Sequence, residues 1–195
     1  MQFAFAAAVF EGSLVAISIV LGWALGIRPL GTFRFNLLDA ALGVVATVPL
    51  LAVFVFCLRS RLKPFRHITI ILEERLIPLF RECSLIQLGI LAALAGVGEE
   101  MLFRGVLQAS IAETVGGQFG VWLGLLAAAV LFGLLHLITP TYAIFAGLVG
   151  LYLGGLWLFA GNLLAPIISH AVYDFVALWY LVRAKRDGTD AAERG

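Results

Sequence analysis

The chain has 195 residues, 62% hydrophobic and 13% charged, with a mean hydropathy of +1.05. Soluble domains are about half apolar and about a quarter charged, so this composition excludes an ordinary soluble domain and specifies an integral membrane protein. A net charge of +1, with no basic stripe interleaved with aromatics, excludes a nucleic-acid surface.

At this length one domain is expected. Its class is all-α: a polytopic bundle of six membrane helices around an intramembrane polar cavity. The apolar segments run over about 3–27, 37–58, 84–112, 119–139, 141–160 and 163–183, each long enough to cross a bilayer. The first lacks the basic flank of a secretory signal and reads as a retained helix. Glu11 within it reads as a cavity-facing or interfacial carboxylate rather than a catalytic one.

Between the second and third segments lies the one substantial polar stretch, 59–82. Ile68, Ile71, Leu72, Leu76, Leu79 and Phe80 recur there at helical spacing, with Glu73, Glu74 and Arg75 on the other face. That pattern predicts a helix in the interface plane, broken at Pro78, with a solvated linker helix as the alternative. His67 reads as an interfacial side chain. The two cysteines, Cys57 and Cys83, make no disulfide framework and are given no role.

Crossing six times places the N-terminus, the 59–82 stretch and the C-terminal tail on one side. That side carries Arg59, Arg61, Lys63, Arg66, Arg75, Arg81, Arg183, Lys185, Arg186 and Arg194, against Arg28 and Arg34 on the other. The positive-inside rule makes both termini cytoplasmic. The chain then divides into 1–83 (two membrane helices plus the interfacial segment), 84–183 (the membrane core that carries the chemistry) and a charged tail, 184–195. Glycines spaced for close helix approach, Gly22 and Gly26, Gly120 and Gly124, Gly150 and Gly154, read as packing within the monomer. The oligomeric state is not specified.

The third segment holds Glu99-Glu100-Met101-Leu102-Phe103-Arg104. An ionised group at mid-membrane costs roughly 2.5–3.5 kcal/mol on insertion scales, so three in six residues must face a protein-lined or watery cavity. On a helix Glu100 and Arg104 lie about 40° apart and pair at i,i+4, while Glu99 is turned about 100° away. The pair reads as a scaffold, and the unpartnered carboxylate suits general-base chemistry. The competing reading is an ion-pair network that only fixes helix packing.

The fourth segment holds Phe132-Gly133-Leu134-Leu135-His136, and the sixth carries His170-Ala171-Val172-Tyr173-Asp174, again a polar i,i+4 pair. Asn162 and Pro166 mark an irregular entry to that helix. Counted back from the turn at Gly116-Gly117, Glu99 is roughly 21 Å and His136 roughly 27 Å deep, whereas Asp174 and His170 are roughly 17 and 11 Å from the same side. Tilt or a recessed helix start has to close that gap.

Glu-Glu-x-x-x-Arg, Phe-x-x-x-His and His-x-x-x-Asp, in this order on separate membrane helices, resemble the CPBP (Abi) family. That family contains the type II CAAX prenyl proteases and bacteriocin-processing or self-immunity proteins. The resemblance covers about residues 84–183 and implies an intramembrane endopeptidase acting on a peptide or membrane-associated protein. Carried over motif by motif, Glu99 and His136 activate a water, His170 and Asp174 stabilise the oxyanion, and Glu100 and Arg104 support the site. Phe132 is carried over as a packing residue.

Two departures stand out. The prenyl proteases typically have Asn where this chain has Asp174, so Asp174 is protonated, orients His170 or binds a metal. They also have about eight membrane helices, against six here. No His-Glu-x-x-His zinc motif exists in this chain. A metal-free Glu-activated water is therefore the reading taken. A zinc ion on His136 and His170 with Glu99 or Asp174 is the alternative. Two other functions compete: a non-catalytic immunity or scaffold protein on the same fold, and a proton-coupled transporter using the same residues as a relay. The absence of an internal repeat weighs against the last.

Overall fold

The computed structural model describes the backbone of residues 2–192 and the side chains of 3–74 and 77–183. Arg75, Leu76 and the tail charges Lys185, Arg186 and Arg194 fall outside the described side chains. The described residues form helices and turns, with no strand.

The helices are α1 (Gln2–Leu25), α2 (Leu37–Arg59), α3 (Lys63–Ile71), α4 (Ile77–Phe80), α5 (Leu85–Glu100), α6 (Ala109–Val115), α7 (Gly117–Leu135), α8 (Pro140–Ala160) and α9 (Leu164–Ala192). A π-helical stretch, Met101–Gln108, joins α5 to α6 into one span of 31 residues. Six helical spans are long and apolar enough to cross a membrane.

Local chemistry sets the helix starts. Asn36 caps α2 by accepting from the Leu38 N–H at 3.0 Å, as N-cap residues do. At α5, Ser84 and Gln87 form a reciprocal capping box, with bonds of 2.8 and 3.3 Å. The fourth segment ends at Leu135 rather than 139, because Thr139 opens the next helix. Its hydroxyl accepts from the Tyr142 N–H at 3.1 Å, and Pro140 occupies the first helical turn, where its missing N–H costs nothing.

The break expected at Pro78 does not occur. A π-helical turn, Leu72–Leu76, precedes the proline, and the chain continues as helix through Phe80. Widening the turn ahead of a residue that cannot donate is one way a helix accommodates proline. Ile68 and Ile77 are buried, and Ile71, Leu72 and Phe80 are half-buried, so much of the apolar face of this segment packs inward.

Close helix approach builds the core. A Cβ on Gly96 of α5 would lie 2.9 Å from both the Ala171 Cβ and the Ile167 carbonyl of α9. One on Gly98 would lie 2.7 Å from the Glu11 carbonyl of α1. Only glycine lets α5 meet both neighbours at these distances, the device membrane bundles use in the absence of a hydrophobic driving force. Five of the six glycines flagged in sequence face this chain, for example Gly124 at the Gln108 carbonyl, Gly150 at Phe132 and Gly22 at Pro29, whereas Gly26 has nothing within 4 Å.

The α9 entry is held by Asn162, buried at 1% exposure. It donates to the Arg34 carbonyl at 2.8 Å and to Asp39 Oδ2 at 2.7 Å. Its own Oδ1 accepts from the Arg34 and Leu164 N–H groups, both at 3.1 Å. Elsewhere large apolar side chains point outward: Phe5, Trp23, Leu38 and Phe159 are 73–85% exposed. A surface so apolar suits lipid, not water, and the chain is an integral, multi-pass membrane protein.

Candidate active site

All seven residues singled out by the motifs converge at the junction of α5, α7 and α9. Glu100 is fully buried, and its Oε1 accepts from Arg104 Nη1 at 2.7 Å. The i,i+4 pair expected from spacing therefore forms, across the junction of α5 and the π-helical stretch. Arg104 is 1% exposed and also donates from Nη2 to the Gly150 carbonyl of α8 at 2.7 Å. A buried charge needs such partners.

Glu100 has a second partner that spacing did not reveal. The same Oε1 accepts from His170 Nδ1 at 2.8 Å. On its other edge, His170 Nε2 lies 3.4 Å from Asp174 Oδ2. His170 is thus clamped between two carboxylates, one from α5 and one from its own helix.

Glu99 stands apart from this network. It is 8% exposed, and its Oε2 is buried without a hydrogen-bond partner. The nearest titratable nitrogen is His136 Nε2, at 3.9 Å, too far for a direct hydrogen bond. His136 lies just past the end of α7 as its C-cap, with φ −98° and ψ 22°. Its Nδ1 donates to the Phe132 carbonyl at 2.8 Å, which leaves the lone pair of the neutral ring on Nε2, facing Glu99.

Phe132 organises the junction. Its ring stacks on His136 with centroids 4.5 Å apart and meets the His170 ring at 6.0 Å. The Arg104 guanidinium sits 5.0 Å from the ring centroid, a favourable cation–π position. The packing role implied for Phe132 thus takes the form of contacts with three of the polar residues.

The depth mismatch counted along the helices is not seen, since His170 Nδ1 of α9 reaches Glu100 Oε1 of α5 at 2.8 Å.

A cavity of about 270 Å³ opens beside these residues, lined by Glu99, His136, His170 and Asp174. Its walls come from the end of α2, from α3, from the start of α8 and from positions 170–181 of α9. It therefore lies toward the side that carries the 59–82 segment. Glu11 also lines it, with Oε2 buried and lacking a partner, which fits the cavity-facing reading. Tyr142, Tyr173 and Cys57 line it too. The sequence reading did not single out the two tyrosines as site residues. For Tyr142 a signal existed: it follows His136 by six residues, just after the Thr139-Pro140 helix start.

The zinc alternative fails on the donor set. Both ring nitrogens of His170 face carboxylates, and a metal bond would require one of these contacts to break. Among the described residues, no group of three or more His, Cys, Asp or Glu side chains is placed to hold a metal ion. The residues present do not fit a three-ligand zinc site.

No curated protein and no solved structure matches the chain. A family model does match, over residues 81–176: that of the type II CAAX prenyl endopeptidase Rce1-like proteins. The matched region contains all three motifs and every residue of the convergent site described above. That match over 81–176, together with this arrangement, supports the Rce1-like, CAAX-protease family as the one this chain is similar to.

Proposed function

We propose that this protein is an intramembrane endopeptidase that hydrolyses a peptide bond of a membrane-associated protein or peptide. The observation that carries the reading is the buried, partnerless Oε2 of Glu99, 3.9 Å from His136 Nε2 at the wall of a cavity. A water oxygen about 2.8 Å from each atom bridges a gap of that size.

In this scheme the bridging water is the nucleophile. Glu99 takes its proton as the oxygen adds to the peptide carbonyl, and His136 Nε2 orients it. When the tetrahedral intermediate collapses, the C–N bond breaks and the proton passes from Glu99 to the leaving amine. His170 forms the opposite wall. Its ring lies between the Glu100 and Asp174 carboxylates, at 2.8 and 3.4 Å, and a positive charge held there favours the negative charge developing on the carbonyl oxygen. Asp174 holds that ring, the second of the roles left open for it in sequence. Glu100 and Arg104 fix the ring from behind. With the termini cytoplasmic, as the Lys and Arg distribution indicates, the cavity faces the cytoplasmic half of the bilayer.

The test is cleavage by the purified protein in liposomes. A peptide mixture that includes farnesylated C-terminal peptides is read by mass spectrometry. Wild type is compared with Glu99→Gln and His136→Ala, each checked for its thermal midpoint. New termini should appear with wild type alone. Equal turnover in all three proteins overturns the assignment. No turnover in a folded wild type favours a non-catalytic binding protein.

A further inference from the structure

Resting on the endopeptidase reading, we infer that Tyr142 is a further catalytic residue, its hydroxyl donating directly to the oxyanion of the tetrahedral intermediate. The problem it solves is one of donors. Adding water to a peptide carbonyl moves the C=O π pair onto oxygen, and that oxygen needs a hydrogen bond that strengthens as the charge develops.

The side-chain donors lining the cavity can be taken in turn. Asp174 only accepts when ionised. Both His170 nitrogens are directed at carboxylates, Glu100 at 2.8 Å and Asp174 at 3.4 Å. His136 Nδ1 is committed to the Phe132 carbonyl, and its Nε2 faces Glu99. The Thr69 hydroxyl donates to the Phe65 carbonyl at 3.1 Å. Cys57 offers only a weak S–H donor.

Two tyrosines remain. Tyr173 points toward α2, where its ring meets Phe54 edge-on with centroids 6.3 Å apart, packed against Phe54, Ile77, Ala177 and Leu181. Tyr142 stands on the first turn of α8, pinned by the Thr139 cap. Tyr142 shares the cavity wall with Glu99 and Asp174, whereas Tyr173 is held in the Phe54 cluster. Tyr142 is therefore the lining hydroxyl left to meet a carbonyl oxygen at this wall.

The step balances without any further reactant. Water supplies the new C–O bond, Glu99 carries the proton to the leaving amine, and Tyr142 lends a hydrogen bond without losing its proton. The hydroxyl takes over the donor role that an amide at position 174 would fill.

The experiment compares wild type, Tyr142→Phe, Tyr173→Phe and Glu99→Gln in liposomes. The probes are quenched-fluorescent peptides, farnesylated and unprenylated, made with a normal or a thioamide scissile bond. Loss of one oxyanion donor costs about 10²–10³ in kcat. Tyr142→Phe should show that loss with KM changed less than about threefold, while Tyr173→Phe stays near wild type. Because sulfur accepts hydrogen bonds weakly, the loss should shrink below about tenfold on the thioamide probe. A purely structural role would slow both probes alike. Tyr142→Phe within about fivefold of wild type, beside an inactive Glu99→Gln, overturns the inference and leaves the endopeptidase reading standing. A wild type that cleaves no probe overturns both.

Discussion

Glu100 and His170, 70 positions apart in sequence, meet through one carboxylate oxygen that also holds Arg104: Oε1 accepts at 2.8 Å from the ring and at 2.7 Å from the guanidinium. A single atom thus couples α5, the π-helical stretch and α9. Removing it leaves a buried guanidinium without its counter-charge, and breaking a buried pair in that way costs about 3–5 kcal/mol. Glu100→Ala should therefore lower stability by about that amount in a detergent or lipid unfolding titration. The double variant Glu100→Ala/Arg104→Met should recover much of the loss, because no orphaned charge remains.

Asp174 faces the other edge of His170 at 3.4 Å. An asparagine there keeps an oxygen that can accept from Nε2 and adds an N–H donor of its own. Asp174→Asn should keep kcat within about tenfold of wild type, whereas Asp174→Ala, which leaves the Nε2 edge of the ring unheld, should lose on the order of 10². Single-turnover rates on a cleaved peptide decide between a positioning acceptor and a group whose charge is indispensable.

Gly96 sets the distance between the helix that carries the two glutamates and the helix that carries His170 and Asp174. Because an added Cβ would sit 2.9 Å from the Ile167 carbonyl and from the Ala171 Cβ, Gly96→Ala should cost about 1–3 kcal/mol as overpacking does. It should also slow cleavage by pushing His170 off Glu100. Gly89→Ala on the same helix is the contrast. There the nearest atom is the Phe175 ring at 3.8 Å, and thermal midpoint and rate should stay close to wild type.

Metal removal should have little effect. With His170 held by Glu100 and Asp174, His136 and Glu99 are too few to form a catalytic metal site. Cleavage by protein dialysed against a chelator should match that of untreated protein, and added zinc should not raise it. Loss of activity on chelation, restored by one equivalent of zinc, overturns the metal-free scheme.

Several features were legible in the chain before any coordinates. Six spans follow from hydropathy, because a bilayer fixes the length of apolar helix needed to cross it. The Glu100–Arg104 and His170–Asp174 pairs follow from helical periodicity alone, since residues four apart share a face wherever the helix sits. The separateness of Glu99 follows from the same geometry.

Other features depend on how far apart, and at what height, different helices stand. Examples are the second partner of Glu100, the continuous helix through Pro78, and the entry of Glu11 and Tyr142 into one cavity. In lipid, hydrophobicity does not distinguish one helix face from another. Close packing at small residues such as Gly96 and Gly98 decides the register instead. The sequence by itself determined which groups carry charge into the membrane and which neighbours along a helix they meet. Only the tertiary structure decided which groups meet across helices, because that outcome is set by contacts between backbones rather than by any local pattern.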